Sequence, residues 1–112
     1  MTQQDNHEYL SAVLKLYLNL AETPSRVSSN DRKNAEELYA RGIPLTTIES
    51  AFLLASLRRL ARSPEMPPLS PIRSLAYFFP VIQEVLANPI PESYLDYLRR
   101  KVESLSLIRG IN

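Results

Sequence analysis

The sequence contains no cysteine and no tryptophan, only two glycines, and a single histidine, His7. Without cysteine there can be no disulfide, thiolate metal site, iron–sulfur cluster or cysteine nucleophile. Two glycines cannot supply the glycine-rich loops that hold nucleotide phosphates. A serine triad needs a base, and we find no plausible histidine or lysine base near the serines. A di-iron carboxylate bundle needs Glu-x-x-His pairs, and the chain has none because its only histidine precedes every candidate glutamate. We therefore expect no metal, no organic cofactor and no enzymatic activity.

Net charge and long apolar runs are also scarce. The formal net charge is only +1, so the chain is not a polycation of the kind that coats nucleic acid or anionic lipid. The most apolar N-terminal stretch, residues 9–20, is interrupted by Lys15 and Asn19. A membrane-spanning helix needs ~20 apolar residues, and a signal peptide needs a basic start and a cleavage site. The sequence predicts a cytoplasmic protein without a membrane contact.

What the chain does contain is leucine at helical spacing. Leucine supplies 18 of the 112 residues, and apolar positions recur with a period near 3.6 far more often than with a period of 2. The length is that of one domain. These features predict an all-α, compact single domain of five or six helices over residues 7–112, packed orthogonally or as an irregular bundle, after a flexible N-terminus of residues 1–6.

Proline and capping residues set the expected helix boundaries. The predicted helices span 7–21, 31–41, 71–88 and 91–106, with a further helix between the second and fourth that has Arg58, Arg59 and Arg62 in its last turns. Ser29 or Asn30 is expected to cap the second helix, and Gly42 to follow its end. Three prolines exclude a regular element from residues 63–70.

The third and fourth helices carry the clearest start signals. Thr46 with Glu49 predicts a capping box at the start of the third helix. Ser70 with Pro71 predicts the start of the fourth. Because Pro80 costs a straight helix ~3 kcal/mol, the fourth helix is expected to kink or to break into 71–78 and 80–88.

The second and third predicted helices, joined by a turn at Gly42, suggest a helix-turn-helix unit. One side of the third helix carries small and basic residues, namely Ala51, Ala55, Arg58, Arg59 and Arg62. Small residues would let this helix approach DNA, and the arginines would reach phosphates or guanine edges. The alternative is that the alanines form a close contact with another helix.

Basic residues are unevenly distributed along the chain. Residues 1–57 carry 5 basic and 7 acidic side chains, net −2, whereas residues 58–112 carry 8 basic and 5 acidic, net +3. If two arginine clusters share a face with the aromatic residue between them, they would bind phosphates and stack on bases. The predicted nucleic-acid-binding residues are Arg58, Arg59, Arg62, Arg73, Tyr77, Arg99, Arg100 and Lys101. The alternative is that each cluster is an ordinary solvated helix end.

Two segments resemble a known family. The stretch from Pro71 to Leu86, Pro-Ile-Arg-Ser-Leu-Ala-Tyr-Phe-Phe-Pro-Val-Ile-Gln-Glu-Val-Leu, is similar to the closing helix of DnaD-like replication modules and of some plasmid replication initiators. The stretch from Gly42 to Phe52 resembles the start of the preceding helix in that family. The resemblance covers about residues 34–88. It implies an accessory helical domain that binds DNA or docks to protein in replication or on a mobile element, with Arg73 and Tyr77 as the positions to test.

A second hypothesis involves no nucleic acid. The C-terminal end of the chain is apolar, and a chain of this size cannot easily cover both this end and the broad apolar side of its first helix. Exposed apolar patches commonly mark contacts with partners. The chain would then be an adaptor for another protein or a self-associating subunit, with its contacts at Leu105, Leu107, Ile108 and Ile111.

Overall fold

The computed structural model describes the backbone of residues 3–108 and the side chains of residues 6–108. The α-helices are α1 (Gln3–Leu18), α2 (Ser29–Ala40), α3 (Leu45–Leu60), α4 (Phe79–Ala87) and α5 (Glu92–Ile108), and a 3-10 helix, Leu75–Phe78, leads directly into α4. The described chain is therefore all-α, as its leucine periodicity predicts. None of the helices in this part of the chain combines the length and the apolar character needed to cross a bilayer.

Helix α3 lies at the centre of the fold and packs against α1, α4, α5 and the 3-10 helix. Its residue Phe52 is buried and its ring centroid lies 4.6 Å from that of Phe78. Phe78 in turn meets Tyr17 of α1 edge-on, at 6.1 Å. These three rings form the middle of the core, because each is fully or almost fully buried. Burial of such large apolar surfaces is the main stabilising term in a domain of this size.

Both ends of α2 have specific caps. Ser28 Oγ accepts a hydrogen bond from Asp31 N at 3.0 Å, and Asp31 Oδ2 accepts one from Ser28 N at 3.1 Å. The cap is therefore Ser28, and the prediction of Ser29 or Asn30 is wrong because only Ser28 has the acidic partner three residues on. At the other end Gly42 has φ +69°, as expected for a glycine just past a helix.

The start of α3 differs from its prediction. The predicted capping box of Thr46 with Glu49 is wrong, since the N-cap residue is Pro44 and no side chain caps the helix. The carbonyl of Pro44 accepts the hydrogen bond from Ile48 N at 3.2 Å, so the first turn already contains Thr46. Glu49 instead lies on the outer surface of the helix, where it pairs with an arginine of α5.

The break predicted at Pro80 is confirmed, but the helix start predicted at Ser70–Pro71 is wrong. Residues 71–74 are irregular, and Ser74 is fully extended at φ −153° and ψ 159°. Pro80 lies in the first turn of α4, where a missing N–H removes no intrahelical hydrogen bond. The chain thus uses this proline to begin a second helix rather than to bend a longer one.

The terminal helices differ from their predicted ranges. Helix α1 begins at Gln3 instead of residue 7 and ends at Leu18 instead of residue 21. Helix α5 continues to Ile108, beyond the predicted end at residue 106. Its N-terminal half is anchored on α3 by a small separate core of Leu53, Leu95 and Leu98.

Candidate interaction surfaces

Arg59 is the most deeply buried charged residue of the predicted nucleic-acid set, with 8% of its surface exposed. Its Nη2 donates to Ser70 O at 2.7 Å and to Glu22 Oε1 at 3.1 Å. Its Nη1 donates to the Tyr77 hydroxyl oxygen at 3.1 Å, and Cζ lies 5.5 Å from the Tyr77 ring centroid. Although burial by itself lowers the pKa of Arg59, the hydrogen bonds to Glu22 and Tyr77 raise that pKa above its ordinary value.

Glu22 connects three parts of the chain. Its carboxylate binds Arg59 of α3, and its carbonyl accepts a hydrogen bond from Ile72 N at 3.0 Å. Its φ of +68° lies in the left-handed region, which is costly for a residue with a Cβ. The loop between α1 and α2 is therefore held in a strained conformation by its contacts with α3 and with the segment that follows α3.

Arg58 also has an acidic partner, but on the exposed surface. Its Nη1 and Nη2 donate to Glu84 Oε2 and Oε1 of α4 at 2.7 and 2.8 Å. The hydrogen bonds from Arg58 lower the pKa of Glu84 below its ordinary value. A phosphate that approached Arg58 would have to displace this carboxylate.

Four of the eight predicted residues do lie together. Arg58, Arg59, Arg62 and Tyr77 line one shallow depression of about 350 Å³, together with Ala55, Leu69 and Val81. Tyr77 is 42% exposed there, because three consecutive aromatics cannot all turn the same way into the core. Arg62 reaches out of this depression to donate to Pro67 O at 2.9 Å.

The other predicted residues lie elsewhere. Arg99 donates to both carboxylate oxygens of Glu49 at 2.8 Å, and Arg100 pairs with Asp96 one turn earlier in α5. Arg99 and Lys101 line different depressions on the two sides of α5. Neither of these two depressions has a lining residue in common with the depression that contains Arg58. Arg73 is exposed on the segment before the 3-10 helix.

The small residues on the face of α3 that was predicted to approach DNA are buried. Ala51 and Ala55 are 0% and 4% exposed and pack inside the fold. The second interpretation of these alanines, a close contact between helices, is therefore the one that agrees with the structure. Because both alanines are covered by other elements, they cannot bring α3 close to DNA, and the part of the helix-turn-helix interpretation that rests on them is wrong.

The C-terminal half of α5 leaves apolar side chains uncovered. Leu107 and Ile108 are 66% and 77% exposed, while Leu105 is half-buried. Ile111, the fourth residue of that prediction, lies outside the described residues. Two depressions flank this half of the helix. One, of about 470 Å³, reaches across α3 to Leu16 of α1 and to Leu20 in the loop after α1, and the other, of about 700 Å³, is lined by Leu57, Pro64 and Ile108 among others.

The acidic partners of the arginines were not apparent from the sequence. Glu22, Glu49 and Glu84 are separated by 37, 50 and 26 residues from the arginines that they bind. Within the described part of the chain, no three His, Asp or Glu side chains lie close enough together to hold a metal ion.

Comparison with known proteins adds no relative. No family model, curated protein or solved structure matches the chain. The class that the structure defines is an all-α single-chain fold with arginine–carboxylate pairs on its surface and an apolar helix end. The resemblance to DnaD-like modules stays a prediction.

Proposed function

We propose that this protein is a non-enzymatic subunit that pairs with a second copy of itself through the apolar end of α5. We define the apolar end as Val102, Leu105, Leu107 and Ile108. The observation that carries the proposal is the exposure of the last two, 66% and 77%. Adjacent exposed Leu and Ile at the end of an amphipathic helix are typical of an interface.

The shape of the apolar end suits a symmetric pair. It forms a ridge with a depression on each side, so the ridge of one copy can fill a depression of the other. In a two-fold dimer the same patch is used twice. Leu107 lines the depression that reaches α1, and Ile108 lines the other depression. Each of these side chains therefore belongs both to the ridge and to the lining of a depression.

The oligomeric state tests this proposal. Light scattering after gel filtration should give twice the chain mass for the wild-type protein. The double variant Leu107→Ser/Ile108→Ser should give the monomer mass with an unchanged far-ultraviolet circular dichroism spectrum. Leu86→Ser, which changes an exposed leucine on α4, is the control and should remain dimeric. A wild-type protein that is monomeric at high micromolar concentration would overturn the proposal.

A second candidate function is contact with DNA through the depression that contains Arg58, Arg62 and Tyr77. The observation in its favour is that these side chains, predicted separately, line one concave surface. Arginines beside an exposed aromatic are suited to phosphates and unstacked bases. An accessory role in replication or on a mobile element, which the DnaD-like resemblance implies, would follow from such contact. Location in the cytoplasm is part of this proposal.

The carboxylate of Glu84, which binds Arg58, provides a sensitive test of DNA contact. Labelled single- and double-stranded DNA would be titrated at low and moderate salt, with affinity expected to fall as salt rises. Arg58→Ala should weaken binding, while Glu84→Gln, which releases Arg58, should strengthen it. Glu36→Gln removes an equal charge from the exposed face of α2 and should have a smaller effect. Absence of binding to either DNA at low salt would exclude this function.

A further inference from the structure

We propose that residues 67–73 form a docking segment for a partner domain with an aromatic-lined groove and carboxylates at one end, the groove type found in SH3 domains. The sequence of this segment is Pro67-Pro68-Leu69-Ser70-Pro71-Ile72-Arg73. It contains two prolines three residues apart and an arginine two residues after the second. Grooves of this kind bind proline-rich segments in the polyproline II conformation. This inference is independent of the proposed dimer.

The segment is irregular, exposed and stiff. Residues 67–74 belong to no helix or turn, and residues 63–71 are all exposed. Each proline fixes its own φ near −65°, and the residue before each proline is restricted to extended conformations. Pro67 and Ser70 both precede a proline, so most of the segment is held extended by its own covalent structure.

Two arginines hold the segment in place, Arg59 in the last turn of α3 and Arg62 just after the end of that helix. Arg62 Nη2 donates to Pro67 O at 2.9 Å, and Arg59 Nη2 donates to Ser70 O at 2.7 Å. The two acceptors are three residues apart, which is one turn of a polyproline II helix. The two donors are also three residues apart. The segment therefore runs back along the end of α3, and its carbonyls are bound at the polyproline II period.

One side chain of the segment, Ile72, is buried and attaches the segment to the fold. Leu69, three residues earlier, is 40% exposed and lines the depressions beneath the segment. Pro68 lines one of the same depressions, and both Pro68 and Pro71 are exposed. Ile72 and the two bound carbonyls thus hold the segment while the two prolines remain accessible. A partner would meet a segment already ordered, which reduces the entropy cost of binding.

Arg73 gives the segment a direction and a charge preference. It is exposed and forms no salt bridge with the described part of the chain, unlike Arg58, Arg59, Arg99 and Arg100. An exposed guanidinium at one end of a proline-rich segment is complementary to a carboxylate at the end of an aromatic groove. This charge complementarity favours a protein groove over a phosphate backbone, because the two other cations at the segment, Arg59 and Arg62, are already bound to its own carbonyls.

The test uses the full chain labelled with ¹⁵N and a panel of purified SH3 domains, with WW domains as the comparison. At least one SH3 domain should bind with micromolar affinity and shift the amide resonances of Leu69, Ser70, Ile72 and Arg73. Pro71→Ala and Arg73→Ala should each weaken binding about tenfold. Pro64→Ala, which changes the turn that Ser63 and Met66 close, is the matched control and should bind as the wild type does.

Two further variants separate this proposal from the others. Arg62→Ala frees the Pro67 carbonyl and should weaken binding several-fold without changing the circular dichroism spectrum. Leu107→Ser/Ile108→Ser should bind as well as the wild type, whether or not the protein is a dimer. The proposal fails if no SH3 domain binds, or if Arg73→Ala binds unchanged. It also fails if Arg73→Ala reduces affinity for DNA only.

Discussion

The carboxylate of Asp31 accepts a hydrogen bond from the backbone N–H of Leu75, with Oδ1 2.9 Å from the nitrogen, across 44 residues of sequence. The other oxygen of the same carboxylate caps α2 through Ser28 N. One buried side chain thus ends the loop before α2 and fixes the start of the 3-10 helix. The docking of α4, and hence the position of Glu84 beside Arg58, depends on this contact.

Replacing Asp31 with alanine should therefore destabilise the whole fold. The variant loses a helix cap and leaves the buried Leu75 N–H without a partner, which together cost about 2–4 kcal/mol. Urea unfolding followed by circular dichroism measures the change in the free energy of unfolding. Glu36→Ala, on the exposed face of the same helix, is the control and should change it little. An Asp31→Ala variant as stable as that control would contradict the role assigned to this carboxylate.

The Arg59–Glu22 pair should matter far more than the pairs on the surface. Arg59→Met leaves a partly buried glutamate and the Ser70 carbonyl without their donor, so the free energy of unfolding should fall by about 3 kcal/mol. Arg100→Met, which breaks an exposed pair with Asp96, is the matched control and should cost far less. Equal decreases in the free energy of unfolding of the two variants, measured by urea unfolding, would show that the buried pair stabilises the fold no more than an exposed pair does.

The Arg58–Glu84 pair should produce a measurable acid dependence. Because hydrogen bonds from Arg58 lower the pKa of Glu84 in the folded state, the pair stabilises the fold above the ordinary glutamate pKa. That stabilisation is lost as the pH falls through the lowered value. Carboxyl-carbon NMR should show the depressed pKa in the wild type and its return toward normal in Arg58→Ala. A Glu84 titration that stays the same in that variant would disprove Arg58 as the cause of the lowered pKa.

Two tyrosines should ionise only at unusually high pH. Burial raises the pKa of Tyr9 to about 12, and burial with the nearby negative charge of Asp31 raises the pKa of Tyr17 to about 12. A raised folded-state pKa contributes stability that is present below the ordinary tyrosine pKa of about 10. This stability is lost as the pH rises toward 12. Ultraviolet titration should resolve two tyrosines that ionise well above pH 10.

The Tyr17→Phe variant tests the buried hydroxyl directly. The Tyr17 hydroxyl is buried and has no hydrogen-bond partner among the described residues. Removing it should leave the free energy of unfolding at neutral pH unchanged or raised, since an unsatisfied polar group is lost. In the ultraviolet titration, the variant should also show one fewer tyrosine that ionises well above pH 10. Tyr9→Phe is the contrast, because the Tyr9 hydroxyl donates to Ile43 O at 2.6 Å and its removal should be destabilising.

Local signals predicted the helices better than they predicted helix ends. Gly42 after α2 and the break at Pro80 were both predicted correctly, because glycine in the left-handed region and proline without an N–H act through their own backbone. The capping box at Thr46 was not, because α3 already begins after Pro44, whose carbonyl accepts the hydrogen bond from Ile48 N, so that Thr46 lies inside the first turn. Ser70–Pro71 failed because Arg59 and Glu22 bind that stretch in an extended form.

The sequence by itself determined the all-α class, a count of five or six helices, and the concentration of arginine in the second half of the chain. Only the tertiary structure decided which arginines are available for a partner. Arg58, Arg59 and Arg99 find carboxylates 26 to 50 residues away, while Arg73 forms no salt bridge with the described residues. Helical periodicity is a property of neighbouring residues and can be read along the chain. Charge neutralisation depends on distances in space, which only the packing of α1, α4 and α5 around α3 fixes.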